Sequence, residues 1–556
     1  MGLRVNRYSW WTHWRELADY LLPRRYKWII TPNQMARGSP INQHILDNAG
    51  TLSARDCGAG IMFGVTDPAR PWFGLQVGRI DSTQTSPVSL WLAEVERIMM
   101  LIFHESNFYT ALAVAYFDLV VFGTCVVLIY EDFENVINCI NPCLGEFYLD
   151  NDKDMKARIF YREFTLTVDQ VVGEFGLSAV SPTVARLWRE GGSSLTRELV
   201  VAHAIEPNDD GRAYGIPSHF AFRELYWEWG GSASPQGGSS YAPGWLRKRG
   251  FHEQIHMPGR WDLVSNDAYG RSPGMDALPD VKQLQLETKR KAQAIDKLVN
   301  PPMVADIQLK NQPASLLPGG VTYVSGMMSQ GRPGFAPVYT VEPPVKEISE
   351  DLMEVRERIE KAFYVPLFKI ISQYETRSNV TAVEIDARRA EGMIMLGPVL
   401  TRLHNEFLAV AIDRTFAIAA RAGILPPAPA EIQGKAITVK YVSMLQLAQQ
   451  AASAGGIERV MSMVGNLAGV DPQAMDNVDF DYGIEKYSSL VNNDPRLIRS
   501  PTALAQIRQQ RQQQQAQEQK MQQSMAAVQG AKLLSETDTG AGKNALQRMS
   551  AGGGLQ

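Results

Sequence analysis

Apolar residues first recur at helical spacing over residues 8–22. Trp10, Trp11, Trp14, Leu17, Ala18 and Leu21 share a side there, and Pro23 stops the run. A second helix is predicted over 42–64 and a strand over Phe73–Val77. A third helix spans 87–104, with Ser86 as its cap and Pro87 at its first position. The stretch from Ala111 to Tyr130 is apolar almost throughout, but Asp118 interrupts it and Gly123-Thr124 divides it. A buried helix followed by a buried strand fits this text better than a membrane span, which needs about 20 uncharged apolar residues.

From about 125 to 230 the period shortens. Strands are predicted over Cys125–Tyr130, Glu146–Leu149, Ala157–Phe164, Leu199–Ile205 and Phe220–Trp229, with one helix, Val168–Phe175, among them. Gly230–Gly244 reads as a loop, and strand-like text resumes at Phe251–His256 and Trp261–Val264. A long helix follows over 276–299, with Asp276 as N-cap, and a second over 347–365, ended by Pro366. The segment between them, 300–345, is rich in Pro and Gly and strand-like. After a polar stretch, Thr381-x-x-Glu384 caps a helix running to about Ala422, with a kink predicted at Gly397-Pro398. A strand at Ala436–Val442 and more helix to about Ala468 come next. Residues 502–534 are Gln-rich and helical without a heptad seam, and the chain from Glu536 on reads as disordered.

Composition narrows the function classes. The chain has 556 residues, 45% of them hydrophobic and 21% charged, which suits a globular protein of several regions. Its formal charge of −4 argues against tight, phosphate-neutralising nucleic-acid binding. The four cysteines (Cys57, Cys125, Cys139 and Cys143) read as reduced thiols and complete no zinc set. Met1 to Tyr26 lacks the apolar core of a signal peptide.

Two enzyme-like motifs fail on backbone grounds. His252-Glu253-Gln254-Ile255-His256 matches H-E-x-x-H, in which a helix sets two histidine ligands and a glutamate base together. Gly250 and Pro258 leave room for about two helical turns, and on a strand Glu253 faces away from His252 and His256. Gly270-Arg271-Ser272-Pro273-Gly274 matches G-x-S-x-G. An oxyanion hole there needs the N–H of the residue after the serine, and Pro273 has none. No Walker A sequence occurs; Gly540-Ala541-Gly542-Lys543 lacks its spacing.

The order of elements says more than these motifs. Two helices bracket a Pro/Gly-rich segment, then a polar loop and a kinked helix follow. Local text agrees. Leu46-Asp47-Asn48-Ala49, Thr66-Asp67-Pro68-Ala69-Arg70-Pro71-Trp72-Phe73, Glu105-Ser106-Asn107-Phe108 and Phe122-Gly123-Thr124 all carry the likeness. So do Arg260-Trp261, Tyr269-Gly270-Arg271-Ser272-Pro273 and Ala277-Leu278-Pro279-Asp280-Val281-Lys282. Over about residues 8–445 the chain resembles the portal, or head-to-tail connecting, proteins of short-tailed, T7-like bacteriophages.

That resemblance implies an α+β, predominantly helical portal fold assembled as a ring, usually a dodecamer. Residues 1–275 would be the wing, 276–299 and 346–366 the stem helices, and 300–345 the clip. Residues 367–380 would hold the tunnel loop, 381–443 a kinked wing helix and strand, 444–500 the crown, and 501–535 a C-terminal helix able to join a barrel. It implies a non-enzymatic virion protein at the portal vertex, assembled in the host bacterial cytoplasm, with no cofactor, metal or membrane partner. Its expected partners are further copies of itself, double-stranded viral DNA, the terminase large subunit, a tail adaptor, and the major capsid and scaffolding proteins. Thr376, Arg377, Ser378 and Asn379 are the candidate DNA-facing residues, against a plain solvated loop. The charges Lys289, Arg290, Lys291, Glu354, Glu357 and Arg358 are expected between subunits or in solvent. The competing readings are another virion structural protein, a zinc-dependent hydrolase through His252, Glu253 and His256, and a membrane protein through 111–130.

Overall fold

The computed structural model describes residues 2–23, 25, 44–77, 87–209, 215–229, 245–299, 303–305, 335–337, 344–368, 396–432, 437–441, 455–466, 478–491 and 501–536. The chain divides into two compact units. One comprises Met1–Leu75, Val95–Pro426 and Val439–Gln449; the other comprises Gln76–Glu94, Pro427–Thr438 and Gln450–Gln556.

The chain opens with α1 (Gly2–Leu21), which buries Trp14, Leu17, Ala18 and Leu21 as its helical spacing requires. The second helix, α2 (Ala49–Val65), begins later than expected, because Asp47 accepts the Ala49 N–H at 2.9 Å and turns the preceding chain. Strand β1 (Phe73–Val77), α3 (Pro87–Glu105) and α4 (Phe108–Phe122) follow. Helix α4 is apolar on every side and largely buried. Its one carboxylate, Asp118, is 2% exposed and receives two hydrogen bonds from Arg25, at 2.9 and 3.1 Å. Burial still pushes that carboxyl up to about 6. Gly123 ends α4 in the left-handed conformation (φ 78°), and the chain continues directly into β2 (Thr124–Asp132). The apolar stretch is thus a helix and a strand. Among the described residues no single helix is long and apolar enough to cross a membrane; α3 and α4 pass only as a pair bent by 75°.

Two antiparallel sheets come next. Strands β3 (Val136–Ile140), β4 (Phe147–Asp150) and β5 (Ile159–Thr167) precede α5 (Val168–Phe175) and α6 (Pro182–Glu190). Then come β6 (Glu198–Pro207), β7 (Phe222–Glu228), β8 (Trp245–Phe251) and β9 (His256–Arg260). One sheet has the order β3-β2-β9, the other β4-β5-β6-β7-β8. Helix α5 starts with a capping box between Thr167 and Gln170. It packs Val168, Val171 and Val172 with Val184 and Leu187 of α6 against Val201, Tyr226 and Leu246 of the larger sheet. Both α6 and β3 are additions to the sequence reading: both are short, α6 held by this packing and β3 by antiparallel pairing with β2. The last two strands also shift: pairing of Phe222 with Phe251 and of Thr124 with Arg260 overrides the local text.

Helix α7 (Pro273–Val299) leads to β10 (Met303–Ala305), which pairs antiparallel with β11 (Phe335–Pro337) before α8 (Val345–Ala362). The next helix, α9, spans 396–421 and contains a π-helical turn at Leu403–Leu408. The kink expected at Gly397-Pro398 falls at the very start of this described stretch, and the helix that would precede it lies outside the described residues. Strand β12 (Ile437–Tyr441) and helix α10 (455–466) follow. In the second unit Arg508 of α12 (Pro501–Glu536) forms two hydrogen bonds with Asp481 of α11 (Phe480–Val491), at 2.7 and 2.8 Å. Met521 and Leu533 of α12 stay 59% and 66% exposed, as its missing apolar stripe predicts. The fold is mixed α+β, mostly helical, with antiparallel sheets.

Among the described glycines, Gly123 is tightly constrained. A side chain there would need an unfavourable φ and would run into the carbonyl oxygen of Gly270. Gly123→Ala is expected to cost about 2–4 kcal/mol, read as a lower denaturant midpoint in chemical unfolding. A midpoint equal to wild type would show that this crossing is not tight.

Candidate functional site

Helices α7 and α8 form an antiparallel hairpin. Arg358, near the end of α8, reaches Asp280 at 3.3 Å and donates to Gln283 at 3.1 Å, near the start of α7. The paired strands β10 and β11 join the other ends. Val281 and Leu284 of α7 and Leu352, Val355 and Ile359 of α8 are buried, and this apolar seam holds the pair. Polar contacts then fix its seat. Gln285, 6% exposed, accepts the N–H groups of Leu46 and Asp47 at 2.7 and 2.9 Å and donates to the Asp47 carbonyl at 2.8 Å. The Asp47 carboxylate receives Arg356 at 2.7 Å. Gly50 of α2 lies so near Val281 that an added Cβ would come within 2.9 Å of it. Sequence reasoning missed Gln285; the available signal was a glutamine one step from the apolar Leu284.

The charges of α7 and α8 divide in two. Arg358 also makes contacts inside the chain, on Asp280, on Gln283 and on Glu354 at 3.4 Å, while the Glu354 side chain stays largely in solvent. Lys289, Arg290 and Glu357 are exposed.

The foot of α7 is the G-x-S-x-G segment. Ser272, 1% exposed, donates to the Val121 carbonyl at 2.7 Å and accepts the Met275 N–H at 3.1 Å. It is the N-cap, with Pro273 at the first helical position, so the helix starts a turn before the expected Asp276 cap. Thr124 accepts the Gly270 N–H at 2.9 Å, and the Gly123 carbonyl accepts from Trp261 at 2.9 Å. A Cβ on Gly274 would come within 2.6 Å of the Val121 carbonyl oxygen. This serine holds two chain crossings together and presents no reactive oxygen to solvent.

The H-E-x-x-H residues are scattered by a turn. Residues 252–255 join β8 to β9, so the shared strand face expected for His252, Gln254 and His256 does not exist. His252 packs beside Phe220, ring centroids 4.7 Å apart. Glu253 accepts Arg414 of α9 at 2.7 Å and also pairs with Arg421. Burial works to raise its carboxyl, but the two arginines outweigh that and hold it below the usual range. His256 is fully buried; its Nε2–H donates to the Ala157 carbonyl at 3.1 Å, and its ring lies on Phe160. Among the described residues no group of three His, Cys, Asp or Glu side chains is placed to hold a metal. All four cysteines are free and buried. Thr376, Arg377, Ser378 and Asn379 lie outside the described residues.

Comparison with known proteins decides what this scaffold is. The family profile described as "Bacteriophage head to tail connecting protein" matches residues 1–498. The chain belongs to the bacteriophage head to tail connecting protein family. It is 39% identical over 544 residues to the "Probable portal protein" of Bordetella phage BPP-1, covering 97% of this chain and 93% of that one. It is 37% identical over 539 residues to the "Portal protein" of Salmonella phage epsilon15, covering 97% and 94%.

A connector of this family is a structural virion component that joins head to tail without catalysing a reaction, so the sequence expectation of a non-enzymatic portal protein holds. The likeness to the two phage proteins also passes the end of the family profile. The few per cent of the chain left uncovered are shorter than the 36-residue helix α12. The connector's recognisable motifs fall on structural joints. Asp47 seats the hairpin, and Asn107 hydrogen-bonds both the N–H and the carbonyl of Cys139 at 2.8 and 2.9 Å. Arg260, 1% exposed, ties β9 to Glu406 at 2.9 Å and to Asn151 at 2.7 Å.

Desolvation lowers His256 from 6.5 to about 4, with the Ala157 hydrogen bond opposing it. Its folded-state value lies below its unfolded one, so its contribution is complete above pH 6.5 and is lost as pH falls toward 4. Protonating it should cost roughly 3 kcal/mol of stability across that window. His256→Gln should flatten that part of a stability-against-pH curve, measured by urea unfolding at a series of pH values. An unchanged slope would remove His256 as the cause.

Proposed function

We propose that this connector assembles as a ring, most simply of twelve copies, at one capsid vertex. There it conducts double-stranded DNA during packaging and ejection. The supporting observation is the α7–α8 hairpin, closed at one end by β10 and β11 and seated at the other on α2 and the α4–β2 crossing. Such an element projects from a rigid base and repeats around a ring as a tube wall. On this reading α7 and α8 are the stem, 300–345 the clip, 367–380 the tunnel-loop region, and 1–275 with 381–443 the wing. Residues 444–500 are the crown, and 501–535 the helix of a barrel. Motif likeness supports a short-tailed, T7-like type.

The charge of −4 suits a channel whose cargo must slide, since each neutralised phosphate would add to the grip. Thr376, Arg377, Ser378 and Asn379 would then touch the DNA backbone in passing. The partners that fit are the terminase large subunit during filling, a tail adaptor afterwards, and the major capsid and scaffolding proteins around the rim.

Averaged electron micrographs of the purified full-length protein test the proposal. Rings with a central opening wide enough for a duplex are expected; a monomer or a solid particle would overturn it.

A further inference from the structure

A ring of identical subunits needs two different, complementary patches on each copy. We propose that these include one stripe on each helix of the hairpin: Leu286 and Arg290 of α7 in one copy, on the line that Lys297 continues, against Met353 and Glu350 of α8 in the next, on the line that Glu357 continues. The inference rests on the ring reading above and names the surface that closes it.

On α7, residues 286, 290 and 297 recur at steps of four and seven, so they form one line along the helix. On α8, residues 350, 353 and 357 recur at steps of three and four and do the same. All six are exposed, on the sides turned away from the buried Val281, Leu284, Leu352, Val355 and Ile359. Leu286 is 49% and Met353 62% exposed, high for apolar side chains on well-packed helices.

The intrachain contacts set the heights. Arg358 lies beside Asp280 and Gln283, and the helices run antiparallel with equal rise per residue. Counting back along α8 and forward along α7 puts Met353 level with Leu286, and Glu350 level with Arg290. Rotation about an axis along the hairpin changes no height. Neighbouring copies therefore meet apolar against apolar at one level and arginine against glutamate about one turn away. Glu350 already has Lys346 at 3.9 Å on its own helix, a contact loose enough to admit a second cation.

The test uses two full-length variants, Arg290→Glu and Glu350→Arg, mixed as folded protomers and followed by native mass spectrometry. Each alone sets like charges at every interface, and at least a tenfold loss of rings is expected. Mixed one to one, the two should restore rings with equal numbers of both chains, because alternation gives every interface one opposite-charge pair. A pair made within one chain would not be rescued by mixing. Should either variant form rings like wild type, or the mixture fail to restore them, the stripe assignment is overturned. Leu286→Asp and Met353→Lys, mixed in the same way, repeat the test at the apolar level if the first pair does not fold. Wild-type protein run alongside separates the two readings. Its failure to form rings counts against the proposed function, whereas wild-type rings with unaffected variants count against the stripes alone.

Discussion

Two stretches of backbone cross at the foot of the hairpin with almost nothing between them. Val121–Thr124 runs from helix into strand, and Trp261 with Gly270–Gly274 passes over it. The crossing is built from carbonyl, amide and hydroxyl groups, with glycine wherever a Cβ would collide. Everything larger is oriented by it. The direction of α7 is set by Ser272, the start of β2 by Gly123, and the pairing of β9 with β2 by the registry between Thr124 and Arg260. Close backbone contacts of this kind tolerate little shift, because a sub-ångström displacement either breaks a buried hydrogen bond or creates a clash. A connector that passes load from one part of a particle to another gains from a joint without flexible side chains.

Much of this was legible wherever local chemistry and tertiary contacts agree. The helix–strand division of the apolar stretch followed from Asp118 and Gly123, and α5 and β1 fell at their expected limits because capping and alternation mark them. The reading failed where a distant partner decides. His252 looked like strand but lies in a turn, because β8 pairs with β7 and β9 with β2 in registers that leave four residues over. Asp276 looked like a cap, yet Ser272 takes that place because the Val121 carbonyl needs a donor. Gln285 is invisible as a functional residue until the Leu46–Asp47 turn is brought beside it. No periodicity rule carries that information.

The buried charges share one arrangement. Arg25 with Asp118, Arg260 with Glu406, and Arg414 with Glu253 each link segments far apart in the chain. Isolated charges at such depth would cost several kcal/mol, so each pair is tolerable only when the remote segment is in place. They add little net stability over apolar packing, but they penalise mispaired arrangements of a chain with many short strands. The apparent catalytic motifs dissolve into this pattern, since Glu253 and Ser272 are both occupied by structural hydrogen bonds.

The π turn at Leu403–Leu408 sets a rotational phase along α9. A π turn accommodates one residue more than an α turn, which rotates all later side chains by about 100° relative to an uninterrupted helix. Upstream, Arg402 reaches the Trp261 carbonyl and Asp262; downstream, Arg414 and Arg421 face Glu131 and Glu253. A straight α-helix with one residue fewer would satisfy its own hydrogen bonds better but could serve only one of these two sets. The helix thus works as a phase adaptor, carrying a local defect so that two surfaces out of step with each other are both engaged by one element.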